Sequence, residues 1–261
     1  MDKLGLKRGG RVLAPSLFTV GNMACGFYAL LSVHERDFPT AATAILAGMI
    51  FDSLDGRVAR LFHGESVFGI EFDSLSDFLT FGIAPAIMMY GFILKDYGSW
   101  GYPLAFLYAL CGALRLARFN ISAQGSAPPK NHFTGLPVPA GAGFLASFVL
   151  LYQIVEEGRP ARTWKFLMDQ IPLLYPLVPL IVFILAFLMI STIPYPTFKN
   201  ISPLRPRSPK ILVTLVLTGF AIFLYPQNAI FLLFFVYVLL GPVGLVIQGL
   251  RRLFKIAPPT I

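Results

Sequence analysis

The chain has 261 residues, of which 56% are hydrophobic and 13% are charged, and its formal net charge is +8. About a quarter of the residues of a soluble domain are charged, so this composition and the mean hydropathy of +0.71 exclude an ordinary soluble protein and indicate an integral membrane protein. The basic residues are spread over several loops beside apolar segments. They therefore indicate contact with anionic membrane lipids, and nucleic acid is not an expected partner.

Apolar stretches long enough to cross a bilayer follow one another along most of the chain. A basic segment at 1–15, expected to be amphipathic and to lie on the membrane surface, precedes the first of them. Eight spans are predicted, at 16–34, 40–62, 68–94, 101–122, 134–155, 171–194, 211–226 and 228–250. A proline-rich basic linker at 200–210 separates the last two spans from the first six. The last two spans share a turn at 226–228. The prediction is an all-α membrane protein with a six-helix core at 16–200 and, at 201–261, a linker and a two-helix hairpin.

Lysines and arginines flank the predicted spans unequally, and this bias sets the orientation of a membrane protein. With the N-terminus inside, all but five of the 21 lysines and arginines lie at inner ends and inner loops. The five on the outer side are Arg36, Lys95, Arg159, Arg162 and Lys165. We therefore expect a multi-pass protein of the cell (inner) membrane with both termini in the cytoplasm.

Four aspartates interrupt the apolar pattern where the second span ends and the third begins. Asp52 and Asp55 are three residues apart, and Asp73 and Asp77 are four apart, so each pair shares one face of a helix. Two adjacent antiparallel helices would point all four into one pocket at the cytoplasmic boundary. Four unpaired carboxylates would repel each other there, and divalent cations with oxygen ligands relieve that repulsion. Two such ions would suit displacement at phosphorus.

Small residues lie between these aspartates. Gly56, Ala59 and Gly69 leave the helix surfaces bare, so a flat or bulky group can lie against them. Arg60 is placed to pair with a carboxylate or with a substrate phosphate. A lone aspartate in a membrane helix is often structural, but four of them at helical spacing with these small residues favour a functional site.

The complete pattern is Asp52-x-x-Asp55-Gly56-x-x-Ala59-Arg60, eight residues, and then Gly69-x-x-x-Asp73-x-x-x-Asp77. At every position it resembles the signature of the CDP-alcohol phosphotransferases. The resemblance implies a homodimer with a six-helix membrane core, in which a CDP-activated lipid gives its phosphatidyl group to an alcohol and CMP leaves. The site residues that it implies are Asp52, Asp55 and Asp73 for metal and the CDP diphosphate, Asp77 as metal ligand and catalytic base, and Gly56, Ala59 and Gly69 for the cytidine and its ribose.

The role of Asp77 in that scheme is physically reasonable. An alcohol attacks phosphorus poorly without a base or a metal ion. Gly69, Asp73 and Asp77 form a stripe on one helix face, and the carboxylate of Asp77 at its end can accept the proton of the alcohol. Oxygen ligands suit Mg²⁺ or Mn²⁺, with Ca²⁺ left open, and we expect two ions.

Four further stretches bear on the acceptor alcohol. They are PSLFTVGNMACGF (15–27), RLARFN (115–120), FTGLPVPAGAG (133–143) and STIPYPTFK (191–199). Together they resemble the bacterial, membrane-embedded phosphatidylserine synthases of this family, over roughly residues 12–200. That resemblance implies CDP-diacylglycerol as the donor, L-serine as the acceptor and CMP as the second product.

Two arginines near the inner end of the fourth span are level with the aspartates. Either Arg115 or Arg118 could hold a serine carboxylate in a bidentate contact while the other holds a lipid phosphate. Snorkelling to the headgroups, or pairing with Glu71, would explain the same residues without a ligand.

Three residues of the other stretches have two readings each. Thr19 and Asn22 could donate hydrogen bonds to a nucleotide or a phosphate, or they could bond to a neighbouring helix. Pro137 could unwind the start of the fifth span and free carbonyls for the serine ammonium group, or it could simply begin a helix.

Other functions remain open from the sequence. Within the family, the acceptor could be glycerol 3-phosphate or inositol phosphate, and the donor could be an archaeal-type ether lipid. In a different class, a divalent-cation transporter could use the same aspartates. A transport path needs polar residues deep in the bilayer, whereas the outer halves of these spans are almost uninterrupted apolar sequence.

Overall fold

The structure is a computed structural model, and it describes residues 3–62, 67–124, 132–156, 175–196, 213, 216, 219–220 and 224–253. Within these ranges the side chains of 3–16, 59–62, 123–124, 132–133, 154–156 and 248–253 lie outside the described part. The described α-helices are α1 (Lys3–His34), α2 (Phe38–Phe62), α3 (Val67–Asp77), α4 (Ala84–Phe92), α5 (Gly101–Gln124), α6 (Val138–Glu156), α7 (Val178–Ile190) and α8 (Pro226–Leu253).

Four helical stretches in this part of the chain are long and apolar enough to cross a bilayer: Leu17–His34, Val67–Phe92, Leu94–Ser122 and Pro226–Ile247. Two shorter apolar helices, Val138–Gln153 and Tyr175–Ile190, accompany them. The all-α membrane architecture is therefore confirmed, whereas the number of eight spans stays a prediction. The seventh span, at 211–226, lies almost wholly outside the described residues.

Both ends of the bundle differ in detail from the prediction. α1 begins at Lys3, so the basic N-terminal segment continues into the first span as one helix. At the other end, the residues at 226–228 form the first turn of α8 instead of a loop. Pro226 suits that place because the first N–H of a helix has no partner within the helix.

A short π-helix at Phe78–Ile83 joins α3 to α4, so Val67–Phe92 is one continuous span. Pro85 at the start of α4 explains this irregular turn. Proline has no N–H to donate, and its ring clashes with the carbonyl four residues earlier, so the regular hydrogen-bond ladder cannot continue through it. The turn follows Asp77 directly and so lies beside the aspartate stripe.

α6 is the central helix of the described bundle. Almost every side chain from Val138 to Leu151 is buried, as is typical of a helix that is apolar on all sides. α2 and α8 both pack against it. The contact with α8 is aromatic, because Phe144 lies 5.5 Å from Phe231 between ring centroids. α8 is therefore packed directly on the core, although the predicted boundary near residue 200 stays a prediction.

A two-stranded antiparallel ribbon was not predicted. β1 (His132–Thr134) pairs with β2 (Pro194–Pro196), with Phe133 opposite Tyr195. Part of the segment expected at the start of the fifth span therefore forms a strand and a turn, and α6 begins at Val138. Gly135 follows β1 with a φ of 81°.

An apolar cavity of about 530 Å³, wide open to the surface of the bundle, lies between α1 and α2. The small residues that line it are Gly21, Ala24, Cys25, Ala44 and Ala47, and Phe51 lies at one end. Thr43, which also lines the cavity, donates its hydroxyl to the Pro39 carbonyl of its own helix. The cavity therefore presents an almost purely apolar surface.

Candidate active site

Carboxylates from α2 and α3 meet at one end of the bundle. Asp52, Asp73 and Asp77 each present an oxygen, and the three oxygens lie within 4.8 Å of one another. All three residues are half-buried, and Asp73 Oδ1 is buried without a hydrogen-bond partner among the described residues. Hard oxygen donors at this spacing, one of them unsatisfied, fit a divalent cation such as Mg²⁺ or Mn²⁺.

Asp55 lies beside this group of three rather than inside it. Its side chain is 6% exposed, and its Oδ2 accepts a hydrogen bond from the Thr19 hydroxyl of α1. The sequence predicted four carboxylates in one pocket. The structure brings three of them together within 4.8 Å and holds the fourth against α1.

Asn22 of α1 contacts the carboxylate predicted to be the base. Its Nδ2 donates to Asp77 Oδ1 at 2.9 Å. The Asn22 side chain is fully buried, and its Oδ1 has no hydrogen-bond partner in the described part of the chain. The interhelical reading of Thr19 and Asn22 is therefore confirmed, and each of them bonds to an aspartate of the signature. Their predicted contact with a nucleotide stays a prediction.

Two hydroxyls that the sequence analysis missed hold α1 in that position. Ser76 donates to the Thr19 carbonyl at 3.0 Å, and Thr80 donates to the Asn22 carbonyl at 2.9 Å. The close approach of α1 needs a glycine, since a Cβ added at Gly26 of α1 would collide with Thr80. The sequence signal that could have identified these two hydroxyls is their spacing, because Ser76 and Thr80 are four residues apart and lie next to the stripe of Asp73 and Asp77.

Arg115 of α5 approaches the same centre. Its side chain is 7% exposed, and it interacts electrostatically with Asp77 and with Tyr237 of α8. Its Nε is buried and has no hydrogen-bond partner among the described residues. A buried guanidinium with an unused donor is costly unless a ligand or a carboxylate satisfies it. This is the arrangement expected of an anion-binding residue.

Arg118 has a different environment. Its Nη1 donates to the Ile190 carbonyl at 2.9 Å, and its Nη2 lies 2.9 Å from the Thr134 carbonyl, 3.3 Å from that of Met189 and 3.2 Å from that of Ser191. The guanidinium thus joins α5 to the end of α7 and to β1. Both of its terminal nitrogens are already used by backbone carbonyls.

The other predicted residues take the following places. The Pro137 carbonyl accepts bonds from Ala140 and Gly141, which favours the simple helix start. Gly56 and Gly69 are half-buried on the helices that carry the aspartates. Ala59 and Arg60 have side chains outside the described part.

Glu71 has a partner other than an arginine. Its Oε2 accepts from Asn120 Nδ2 at 3.2 Å, and Ser74 donates to Asn120 Oδ1 at 3.1 Å. Asn120 belongs to the stretch RLARFN, so this stretch joins α5 to α3 as well as to α7. The four stretches that pointed to the acceptor alcohol therefore all contribute residues around the aspartates or the adjoining ribbon.

Comparison with known proteins agrees with this geometry. The sequence profile of the CDP-alcohol phosphatidyltransferase family matches residues 12–190, which include the whole aspartate signature. The chain belongs to this family.

Individual family members are similar over most of the chain. A protein of Helicobacter pylori (strain ATCC 700392 / 26695) named CDP-diacylglycerol–serine O-phosphatidyltransferase is 34% identical over 88% of this chain and 89% of its own length. One of the same name from Mycobacterium tuberculosis (strain ATCC 25618 / H37Rv) is 36% identical over 62% of this chain and 58% of its own length. An archaetidylserine synthase of Methanothermobacter thermautotrophicus is 38% identical over 53% of this chain and 58% of its own length.

Proposed function

We propose that this member of the family transfers a phosphatidyl group from CDP-diacylglycerol to the hydroxyl of L-serine. The products are phosphatidylserine and CMP. The observation that carries the choice of serine is the buried Arg115 guanidinium, which interacts electrostatically with the candidate base Asp77 and has an Nε without a hydrogen-bond partner among the described residues. The names of the relatives support it, since two of the three compared are serine transferases and the third makes a serine lipid.

The chemistry assigned to the residues is a displacement at phosphorus. The Asp77 carboxylate accepts the proton of the serine hydroxyl, and the serine oxygen forms a bond to the phosphorus that carries diacylglycerol. The bond from that phosphorus to the oxygen of CMP breaks, and CMP leaves with the electron pair. Asn22 holds one oxygen of Asp77 by its 2.9 Å hydrogen bond and so orients the carboxylate for the transfer.

Asp52, Asp73 and Asp77 would hold the divalent cation, with Asp55 at the edge of the site. Mg²⁺ or Mn²⁺, as one or two ions, would supply charge stabilisation at the phosphates. Gly56, Ala59 and Gly69 would leave room for the cytidine, with Arg60 near its phosphates.

The charge near Asp77 favours serine over a phosphorylated acceptor. Arg118 donates to backbone carbonyls, so Arg115 is the guanidinium beside Asp77 among the described residues. One guanidinium matches the single carboxylate of serine, whereas glycerol 3-phosphate and inositol phosphate carry a phosphate dianion. Membership of the family favours an enzyme over a cation transporter.

The test is CMP release by the purified protein with Mn²⁺ and CDP-diacylglycerol. Serine, glycerol 3-phosphate and inositol phosphate are supplied in parallel, and a second set replaces the donor with a CDP-activated archaeal ether lipid. We expect release with serine and CDP-diacylglycerol, and we expect EDTA to abolish it. Release with another acceptor but not with serine would refute the proposal, and undiminished release in EDTA would refute the role of the metal.

A further inference from the structure

The helical turn that follows Asp77 is not an α-turn. Phe78–Ile83 form a π-helix, in which the Ala84 N–H bonds to the Leu79 carbonyl five residues earlier. Single π-turns inside a longer helix are frequent at functional sites. This turn places the side chain of Thr80, which is fully buried, between α1 and α2. Thr80 lies three residues beyond the signature that ends at Asp77, so the signature gives it no role.

Two glycines make room for the Thr80 side chain. A Cβ at Gly26 of α1 would lie 2.8 Å from Thr80 Cα, and a Cβ at Gly48 of α2 would lie 2.6 Å from Thr80 Cγ2. Both distances are much shorter than the separation of about 3.5–4.0 Å at which two carbon atoms normally make contact. Packed between these two helices, the Thr80 hydroxyl donates to the Asn22 carbonyl of α1 at 2.9 Å.

Asn22 completes a closed path of contacts that returns to Asp77. Its carbonyl accepts from Thr80, and its Nδ2 donates to Asp77 Oδ1 at 2.9 Å. Its Oδ1 faces Gly48, because a Cβ at that glycine would lie 3.0 Å from this oxygen. The amide is thereby confined between the carboxylate of Asp77 and the backbone of α2. Through Thr80, the helix that carries Asp77 also fixes the backbone from which the Asn22 amide extends.

We propose that Thr80 is a positioning residue, and that its hydroxyl holds the Asn22 backbone so that the Asn22 amide keeps the Asp77 carboxylate in the orientation that receives the proton of the acceptor. The π-turn brings Thr80 to the place where it can do this. The inference rests on the proposed function, in which Asp77 is the base. We expect an effect on kcat rather than on either KM, because Thr80 is fully buried and acts through Asn22.

Three substitutions separate positioning from packing. Thr80→Val keeps the volume of the side chain and removes the hydroxyl, whereas Thr80→Ser keeps the hydroxyl and removes the methyl group next to Gly48. We expect Thr80→Val to lower kcat for CMP release about tenfold and to leave the KM for serine and for CDP-diacylglycerol within about twofold. Thr80→Ser should keep most of the parent kcat although it lowers the melting temperature in detergent. Ser147→Ala removes a buried hydroxyl that bonds to the Phe144 carbonyl of its own helix, and it should keep the parent kcat.

A double-variant comparison tests whether Thr80 acts through Asn22, because residues that share one network of contacts are not additive. In the Asn22→Ala background, Thr80→Val should lower kcat by less than about twofold. The proposal would be overturned by full additivity, by a kcat of Thr80→Ser or Ser147→Ala as low as that of Thr80→Val, or by a rise in KM without a loss of kcat. If the parent protein used another alcohol instead of serine, the proposed function would be refuted, and the same comparison with that alcohol would still decide the role of Thr80.

Discussion

At the scale of single residues, the aspartates depend on polar partners from α1. Asp55 accepts from Thr19 and Asp77 accepts from Asn22, and both donors come from the stretch PSLFTVGN. The sequence left open whether these two side chains bind a ligand or a neighbouring helix. Their hydrogen bonds to the signature explain why they interrupt an otherwise apolar span, because a buried polar group needs a partner.

Replacing Asp77 tests the assignment of the base. Asp77→Asn keeps the shape of the side chain but cannot accept the serine proton, so CMP release should fall by roughly 10²–10⁴. Binding of CDP-diacylglycerol should partly survive, because Asp52, Asp55 and Asp73 remain. Glu71→Gln is the matched control, since Glu71 is an exposed carboxylate of the same helix that bonds to Asn120. Full activity of Asp77→Asn, measured as CMP release, would contradict the assignment.

Replacing Thr19 tests whether α1 orients the signature. Thr19→Val has nearly the same shape but leaves the buried carboxylate of Asp55 without this donor, so activity should drop about tenfold or more. Ser147→Ala is the control, because the buried Ser147 hydroxyl bonds to the Phe144 carbonyl of its own helix, outside both the site and the cavity. Equal CMP release by the two variants would show that the Thr19 hydroxyl has no role in the site.

At the scale of elements, Arg118 and the turn after β1 join three segments that are far apart in sequence. The Gly135 N–H donates to the Ile193 carbonyl, and the Leu136 N–H donates to that of Leu188. A Cβ at Gly135 would collide with the Met189 carbonyl oxygen and would lie 3.0 Å from Arg118 Nη2. This turn therefore needs glycine both for its positive φ and for the close approach of α7.

Two glycines with positive φ allow the effect of backbone strain on stability to be separated from the effect of a steric collision. Gly98→Ala meets no atom within 4 Å, so only the backbone strain of about 1–3 kcal/mol applies. Gly135→Ala carries the same kind of strain and the steric collision as well. We expect a clearly larger loss of thermal stability for Gly135→Ala in detergent. Equal melting temperatures for the two variants would mean that the turn is not tightly packed against α7.

We expect the cavity between α1 and α2 to hold one acyl chain of the donor. Its lining runs from Phe51, next to Asp52, to Thr40, which is about 16 Å along a helix and close to half of a hydrocarbon core of about 30 Å. Ala24→Trp should fill it and raise the KM for CDP-diacylglycerol severalfold without changing that for serine. Val20→Trp is the control, since Val20 is exposed on the same helix outside the lining. If the KM for CDP-diacylglycerol were unchanged in Ala24→Trp, the cavity would not bind the donor and would instead be filled by bulk membrane lipid.

Hydrophobic length and charge spacing predicted the ends of α2, of the stretch Val67–Phe92 and of α5 to within about one helical turn, and they also predicted the aspartate stripes, because both depend on local sequence. The ribbon could not be predicted from the same information. Its strands have three residues each, too few to show a period of two, and Pro194 and Pro196 are unusual in a strand. The role of Arg118 was equally hidden, because its carbonyl partners at 189–191 lie more than 70 residues away.

At the scale of the whole molecule, the helices bring every candidate site residue to one end of the bundle. The aspartates lie toward the end of α2 and in α3, and Arg115 lies toward the end of α5. Gly98, in the short 3₁₀-helix Leu94–Trp100 that precedes α5, lies at the opposite end. The side of the membrane on which Gly98 lies therefore decides which side the aspartates face.

The asymmetry of the basic residues predicts that orientation. Because lysines and arginines are retained on the cytoplasmic side, we expect Gly98 outside and the aspartates at the cytoplasmic surface, where water-soluble serine can meet a lipid-anchored donor. A phosphatase that is active only outside the cytoplasm should be active when inserted at Gly98 and inactive when fused after Ile261. A fluorescent protein that folds only in the cytoplasm should show the reverse pattern. The opposite result with both reporters would place the aspartates on the outer surface, away from cytoplasmic serine and CDP-lipid, and would contradict the predicted topology.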